Sequence, residues 1–159
     1  FKQEIARKYM AVGMKIENEK QRNRNNNDYL ADASAKLLED YISENEIKWI
    51  TTVPSINHPD LVDSFAERLA IKLGIRFKKS LVKTKSGKQQ KELNNSSFQM
   101  LNVYETVDVD ESSIEDGNLL LVDDMVDSCW TFAVCGYKLK VAGSGKVFPF
   151  AMANSGNKG

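Results

Sequence analysis

One stretch of this chain decides its fold: Leu119-Leu120-Leu121-Val122-Asp123-Asp124-Met125-Val126-Asp127-Ser128-Cys129-Trp130-Thr131. It opens with four apolar residues that do not alternate with polar ones, which is typical of a strand buried on both faces of a parallel sheet. Two acids, Asp123 and Asp124, follow directly. They come at the carboxyl end of the strand, where parallel sheets bind their ligands. The pattern therefore predicts a binding site at this edge of a sheet.

The residue types behind the strand suit a sugar phosphate. Two adjacent carboxylates can hold the vicinal hydroxyls of a ribose or a bound Mg²⁺, and the hydroxyls of Ser128 and Thr131 can approach a phosphate. The next segment, Thr131 to Ala142, has a helical pattern with Gly143 as its stop. Its start would present free backbone N–H groups and a positive dipole end to that phosphate. The alternative is a buried strand followed by a solvated acidic turn.

This order of features resembles the phosphoribosyl pyrophosphate (PRPP) signature of type I phosphoribosyltransferases, in which an apolar strand precedes two acids, three variable residues and a Thr-Gly-x-Thr loop. Here the loop reads Ser128-Cys129-Trp130-Thr131. Serine keeps the hydroxyl, whereas cysteine adds a Cβ where the backbone approaches a phosphate or takes a positive φ. The resemblance implies a catalytic role, with possible Mg²⁺ binding through ribose or water, for Asp123 and Asp124. It implies a 5′-phosphate loop formed by Asp127, Ser128, Cys129, Trp130 and Thr131.

The rest of the chain predicts one α/β domain with a parallel, doubly wound sheet flanked by helices. Its 159 residues, 42% of them hydrophobic, suffice for a single core. We expect an N-terminal helical or hood segment over 1–46, a core over 47–155 and a tail over 156–159. The predicted helices are Phe1–Ile16, Asp28–Ser43, Pro59–Leu73 and Ser96–Val103, and the further strands are Ile47–Val53, Ile75–Val82 and Lys146–Met152.

Two further loops carry the resemblance. The turn Thr52-Val53-Pro54-Ser55 stands where the family keeps its pyrophosphate loop, and a plain turn between strand and helix is an alternative of nearly equal weight. The polar segment from Lys83 to Asn95 is similar to the flexible loop of the ComF-like branch. The resemblance implies that Lys83, Lys85 and Lys88 neutralise the departing pyrophosphate, as Mg²⁺ does. The alternative is a mobile, solubilising loop.

Charge is balanced overall but divided along the chain. Nine basic residues and no acid lie between Arg68 and Lys91, and nine acids and no base lie between Glu105 and Asp127. Such blocks are either solvated faces or, if the fold brings them together, the two ends of a site for a diphosphate and a metal-bound ribose. A net charge of zero argues against a strong stand-alone binder of duplex DNA. The two cysteines, Cys129 and Cys135, lack the companions of a zinc site.

The segment from Trp49 to Thr131, with Ser128 and Trp130 in the phosphate loop, also resembles a narrower group: the phosphoribosyltransferase-like domain at the C-terminus of certain bacterial RecQ-type ATP-dependent DNA helicases. Three functions follow as alternatives. The domain is a regulatory module that binds PRPP or a related ribose phosphate, a working transferase that displaces pyrophosphate, or a structural or DNA-contacting domain with a vestigial site. We further expect a cytoplasmic protein without a membrane segment, contact with DNA through the parent protein, and a possible homodimer.

Overall fold

The computed structural model describes residues 25–55, 59–84, 96–126 and 129–154. The elements that precede the central strand are α1 (Asn25–Glu44), β1 (Ile47–Thr52), α2 (Pro59–Leu73), β2 (Arg76–Phe77), β3 (Leu81–Lys83), α3 (Ser96–Thr106), β4 (Val107–Val109) and a 3₁₀ turn (Glu111–Ser113). The central strand β5 (Asn118–Val126), α4 (Cys129–Val141) and β6 (Val147–Asn154) complete the order. The predicted helix Phe1–Ile16 lies outside the described residues.

Four parallel strands form the main sheet in the order β2-β1-β5-β6, so that β5 is central. Strands β3 and β4 form a separate antiparallel pair. Because each parallel pair is joined by a helical crossover, the helices cover both faces of the sheet. The predicted fold class, a parallel sheet flanked by helices, is confirmed.

The apolar run at the centre of β5 divides between two cores. All four residues from Leu119 to Val122 are 0% exposed. Leu120 and Val122 pack toward α1 and α2, and Leu119 and Leu121 pack with residues of α4 on the other face. Successive strand residues point to opposite sides, so a strand covered on both sides needs an uninterrupted apolar run. This confirms the interpretation of the run as a doubly buried strand.

Two predictions for strands near the site are wrong. The segment Ile75–Val82 was predicted as one strand, but it forms two short strands in different sheets. Between them Ser80 is fully buried, where its N–H donates to Thr51 Oγ1 at 3.2 Å and its hydroxyl donates to the Ser113 carbonyl at 3.0 Å. These bonds fix Ser80 at the point where the chain leaves the main sheet for the β3–β4 pair. Strand β5 also runs on to Val126, so Asp123 and Asp124 lie within it rather than behind it.

The helix stops predicted from glycine are confirmed. Gly74 ends α2 with φ +67°, and Gly143 follows α4 with φ +106°, backbone conformations that residues with a Cβ rarely adopt. Helix α4 begins at Cys129, two residues earlier than the pattern predicted. Within the described parts of the chain, no helix is both long and apolar enough to cross a membrane.

Candidate functional site

Asp123 is the buried acid of the site. It lies in β5 opposite Ala151 of β6 and is 8% exposed. The backbone N–H of Asp124 donates to its Oδ1 at 2.8 Å. A carboxyl group at the carboxyl end of a central parallel strand stands where such folds place ligand-binding side chains. The solvated acidic turn, the alternative from sequence, is therefore wrong for Asp123.

Burial raises the pKa of the Asp123 carboxyl to about 7, because the ionised form loses solvation. The charge of the neighbouring Asp124 and a hydrogen bond to its side chain raise this pKa as well. The Asp124 N–H and the ammonium of Lys83 act in the opposite direction. A carboxyl that titrates near neutral pH at the carboxyl end of a parallel strand is typical of functional sites.

Lys83 is the predicted cation that the structure brings to Asp123. It is the last residue of β3, pairs with Val107 of β4, and the next residue, Thr84, donates its N–H to the Thr106 carbonyl at 3.1 Å. Lys83 remains exposed, yet partial burial lowers the pKa of its ammonium, while the negative charge of Asp123 opposes that shift. The antiparallel β3–β4 pair thus holds a lysine near the buried acid. Lys85 and Lys88 lie outside the described residues.

Cys135 is a neighbour of Asp123 that the sequence did not reveal. It is fully buried in α4, and burial together with the charge of Asp123 raises the pKa of its thiol to about 12. A thiol with so high a pKa is unreactive at neutral pH. Cys135 is therefore an apolar neighbour of the acid. The six-residue spacing between Cys129 and Cys135 did not predict that Cys135 lies near Asp123. Cys129 is exposed, and both thiols are free.

The phosphate loop is described in part. Asp127 and Ser128 lie outside the described residues, and Cys129, Trp130 and Thr131 form the first turn of α4. The first N–H groups of a helix have no partner within the helix, so they are available to an anion. The start of α4 follows β5 after two residues, which places this turn close to the acid pair.

The predicted pyrophosphate turn already uses two of its polar groups within the protein. Thr52 belongs to β1, is 1% exposed, and donates its hydroxyl to Asp63 at 2.6 Å. The N–H of Val53 donates to the Val122 carbonyl at 2.8 Å, and Pro54 has no N–H. The Thr52 hydroxyl and the Val53 N–H are therefore not available to an anion at this turn, and residues 56–58 lie outside the description.

Most described residues of the basic block form ion pairs with carboxylates other than Asp123. The ion pairs are Arg68–Asp28, Lys72–Asp32, Arg76–Glu115 and Lys79–Asp63, and Lys78 shares Glu115 at 3.2 Å. Glu115 precedes β5, at the sheet end opposite Asp123. Within the described residues, ion pairs between the basic and acidic blocks therefore form through Glu115, at the sheet end opposite the candidate site. Lys83 is the described residue of the basic block that contributes charge at Asp123.

The acid pair fits Mg²⁺ only in combination with a ligand. Among the described residues, no three acidic, histidine or cysteine side chains converge as a metal site. Mg²⁺ usually keeps several waters and is held by one or two carboxylates together with substrate phosphates. A buried Asp123 and a half-buried Asp124 supply that smaller set. The donor chemistry is therefore compatible with Mg²⁺ bound through a sugar phosphate.

Several solved phosphoribosyltransferases have the same architecture as this chain. The chain superposes on adenine phosphoribosyltransferase from Saccharomyces cerevisiae with a TM-score of 0.57 and 22% identity, covering 83% of this chain and 70% of that one. Purine phosphoribosyltransferase from Pyrococcus horikoshii gives a TM-score of 0.53 and 19% identity, covering 84% of this chain and 75% of that one. Hypoxanthine phosphoribosyltransferase from Trypanosoma cruzi gives a TM-score of 0.52 and 13% identity, covering 82% of this chain and 78% of that one.

The fold is that of the type I phosphoribosyltransferases. No protein-family model matches the chain, and no curated protein sequence matches it significantly. At identities of this size the likeness establishes the arrangement of the sheet and helices, and the phosphoribosyltransferase fold alone does not assign a reaction. The fold implied by the resemblance of the β5 stretch is confirmed.

Proposed function

We propose that this phosphoribosyltransferase-like domain binds PRPP, or a related ribose phosphate, at the carboxyl end of β5. The observation that carries the proposal is Asp123, an acid buried toward the carboxyl end of the central strand, where the charge of the Lys83 ammonium lowers its pKa. Burial of a carboxyl group is costly, and here no ion pair shorter than 4 Å within the described residues offsets that cost. A ligand that donates hydrogen bonds to the carboxylate would offset it.

Each part of the site has a role in this proposal. Asp123 and Asp124 accept hydrogen bonds from the ribose hydroxyls, and the first turn of α4, with Asp127 and Ser128 before it, receives the 5′-phosphate. Lys83, with Lys85 and Lys88 on the following segment, neutralises the pyrophosphate. The turn Thr52–Ser55, at the end of β1, borders the pyrophosphate. Mg²⁺, when bound with the ligand, would neutralise further phosphate charge.

The neighbours in fold support a sugar-phosphate ligand. The yeast adenine phosphoribosyltransferase was solved with D-2,5-dideoxy-2,5-imino-altritol 1,6-bisphosphate and adenine, and the trypanosomal enzyme was solved as a ternary substrates complex. Both superpose over more than four fifths of this chain. The proposal extends the ligand class of these enzymes to this chain because Asp123 and the start of α4 lie on the edge of the sheet where α/β folds bind ligands.

We further propose that the domain belongs to the ComF-like branch and is a regulatory module at the C-terminus of a cytoplasmic RecQ-type helicase. The support is the loop sequence, with Ser128 and Trp130, and the lysine-rich segment after β3. An active transferase is the second candidate, favoured by the lysine that the β3–β4 pair holds at Asp123. A vestigial site in a structural or DNA-contacting domain is the third, favoured by the Cβ of Cys129 in the phosphate loop.

Calorimetric titration with PRPP, with and without Mg²⁺, tests whether the domain binds this ligand. We expect binding that depends on Mg²⁺ and is lost when Asp123→Asn and Asp124→Asn are combined. The matched control is Asp116→Asn, an exposed acid before β5 whose loss removes one negative charge away from the site. No heat at millimolar PRPP, or an equal loss with the control, would reject the proposal.

The variant Lys83→Gln tests the role of the lysine in the same titration. Loss of a charge-assisted contact to the pyrophosphate should weaken PRPP binding by about tenfold or more. Lys146→Gln, which removes an exposed ammonium at the other end of the sheet, is the control and should leave the affinity unchanged. Similar effects of both variants would indicate a general charge effect instead.

Turnover separates the regulatory module from the transferase. A transferase releases pyrophosphate from PRPP in a reaction that requires Asp123 and Mg²⁺, whereas a regulatory module binds PRPP without release. Retention of single-stranded DNA that survives the Asp123→Asn and Asp124→Asn substitutions would favour the third candidate.

A further inference from the structure

Lys138 joins helix α4 to two other elements. Its Nζ donates to the Val107 carbonyl of β4 at 2.6 Å and lies 4.4 Å from the centre of the Tyr104 ring of α3. Hydrogen bonds from a charged donor are about twice as strong as neutral ones, and the face of an aromatic ring attracts a cation. Lys138 forms no ion pair within the described residues. Its ammonium therefore holds α3 and β4 against α4.

Val107, the residue that Lys138 binds, lies opposite Lys83. The two residues are register partners in the antiparallel β3–β4 pair, and the next pair is hydrogen-bonded through the Thr84 N–H and the Thr106 carbonyl. Hydrogen-bonded and non-hydrogen-bonded pairs alternate in an antiparallel ladder, so Val107 turns its carbonyl away from β3 and its side chain lies close to that of Lys83. Lys138 thus binds directly across the ladder from the lysine of the site.

The β3–β4 pair needs anchors to the rest of the fold. Each of its strands has three residues, and an isolated two-stranded pair is marginally stable. One end is anchored by Ser80, through its hydrogen bonds to Thr51 and Ser113. Lys138 anchors the other end, where Lys83 lies. The position of Lys83 relative to β5 consequently depends on the Lys138 contact.

Helix α4 also contacts the acid of the site. Cys135 precedes Lys138 by three positions, so both lie on one side of the helix. Burial, and then the charge of Asp123, raise the pKa of the Cys135 thiol, which shows that the acid is close to this helix. The same helix therefore borders Asp123 through Cys135 and holds the strand pair of Lys83 through Lys138. A rigid element that contacts both groups fixes their separation.

We propose that Lys138 is a positioning residue, which holds the β3–β4 pair on α4 so that the Lys83 ammonium stays at the Asp123 carboxyl in the ligand-free protein. Lys138 acts through Val107 and does not need to touch a ligand. A cation that is already in place costs less to order when an anionic ligand binds. The benefit for PRPP rests on the proposed function, whereas the position of Lys83 is a property of the free chain.

Hydrogen exchange of backbone amides in the ligand-free, full 159-residue chain tests the positioning. The Thr84 N–H reports on the end of the pair at Lys83, and the Asp110 N–H, which donates to the Ser80 carbonyl at 2.9 Å, reports on the other end. Lys138→Met keeps the apolar stem and removes the ammonium. It should speed exchange at Thr84 about tenfold or more and leave exchange at Asp110 unchanged.

A conservative variant and a matched control accompany this measurement. Lys138→Arg retains a charged donor and should keep the slow exchange of Thr84. Lys140→Met removes an exposed ammonium from the same helix and should change neither amide. Equal acceleration at Thr84 and Asp110 overturns the proposal, because it indicates opening of the whole pair rather than of one end. Exchange at Thr84 that Lys138→Met leaves unchanged also overturns it.

Tyr104→Leu is a second variant, which leaves the core intact because the Tyr104 ring is about half exposed. It keeps the Lys138 ammonium and removes the ring beside it, so exchange at Thr84 should rise by less, about threefold. If Lys138→Met does not fold, this variant decides: acceleration at Thr84 alone supports the proposal, and unchanged exchange overturns it.

The consequence for the ligand is measured by calorimetric titration of Lys138→Met with PRPP and Mg²⁺. We expect the affinity to fall about threefold or more, with no further loss in the Lys83→Gln background, because the cation to be positioned is then absent. Equal losses in both backgrounds overturn the positioning role. Absence of PRPP binding to the parent chain rejects the proposed function alone, because hydrogen exchange uses no ligand and decides the role of Lys138 by itself.

Discussion

The carboxyl group of Asp123 is buried, and burial makes its ionised form unfavourable. The buried thiol of Cys135 and the core residues Leu119 and Leu121 lie on the same side of β5 as Asp123, and the exposed Lys83 supplies the positive charge that acts on it. A ligand or a metal ion at this point would lower the pKa of the carboxyl by favouring its charged form. Ligand binding below neutral pH should therefore release a proton from Asp123.

The same burial predicts how stability depends on pH. The pKa of Asp123 is about 7 in the folded chain against an ordinary value of 3.8, so protonation favours the folded state. This stabilisation is complete below about pH 4 and is lost as the pH rises through about 7, a difference on the order of a few kcal/mol. Asp123→Asn should remove it, so that the variant loses less stability than the parent between these pH values. Urea unfolding at several pH values measures this.

The control for this prediction is Asp116→Asn, at an exposed position before β5. It should keep the pH profile of the parent chain. Identical profiles for Asp123→Asn and the parent would show that the carboxyl titrates at an ordinary pKa.

The sequence predicts the position of the acid pair, but it does not predict which residues of other elements lie around the pair. Asp123 stands out because it follows a doubly buried apolar run, a local pattern. Its partner Cys135 is brought in by the packing of α4, and the commitment of the Thr52 hydroxyl to Asp63 depends on a contact between β1 and α2. Contacts of this kind join residues that are distant in sequence or lie on different elements, and no spacing pattern encodes them.

At the scale of elements, the junction that leads into β6 depends on Gly145. A Cβ at this position would lie 2.6 Å from the carbonyl carbon and oxygen of Gly117, and the Gly145 N–H donates to that same carbonyl at 3.0 Å. Backbone atoms of the segment before β5 cannot move aside as a flexible side chain would. The close approach holds the starts of β5 and β6 together.

Gly145→Ala should therefore destabilise the fold by about 1–3 kcal/mol through overpacking. Gly136→Ala is the matched comparison, because its Cβ would meet Val147 Cγ1 at an ordinary 3.6 Å within a regular helix. That change should stabilise the chain by about 0.5–1 kcal/mol through helix propensity. Thermal or urea unfolding of both variants decides this, and equal stabilities would contradict the assigned role of Gly145.

Helices were easier to predict than strands in this chain. Helix α2 matches its prediction from Pro59 to Leu73 because its apolar spacing, its initial proline and Gly74 all agree. The segment Ile75–Val82 has equally apolar residues at its ends, yet the chain changes sheets at the buried Ser80. That change depends on hydrogen bonds to Thr51 and Ser113, which belong to other elements.

For the whole molecule, the pattern of ion pairs bears on nucleic-acid binding. Five residues of the basic block, from Arg68 to Lys79, face carboxylates of the same chain. Exposed ion pairs of this kind add little stability, but they reduce the positive field available to a phosphate backbone. With a net charge of zero, the chain lacks a concentrated basic face within the described residues.

We accordingly expect weak retention of single-stranded DNA at physiological salt, with binding detectable only at low ionic strength. Fluorescence anisotropy of a labelled oligonucleotide across a salt series measures it. Any residual binding should decrease in a chain with Lys85→Gln and Lys88→Gln. These lysines belong to the segment after β3, which contains no acid up to Lys91, so their charges are available to phosphates. Tight binding that resists salt would contradict this and favour the DNA-contacting alternative.

The two tryptophans occupy opposite kinds of environment. Trp49 is fully buried in β1, and its indole N–H donates to the Gly117 carbonyl at 3.2 Å, whereas Trp130 is 36% exposed in the first turn of α4. The fluorescence of Trp49 should be blue-shifted and inaccessible to quenchers. The fluorescence of Trp130 should respond to a ligand bound at the carboxyl end of β5. The chain thus contains an internal optical reference and an optical probe of its own site, without any attached dye.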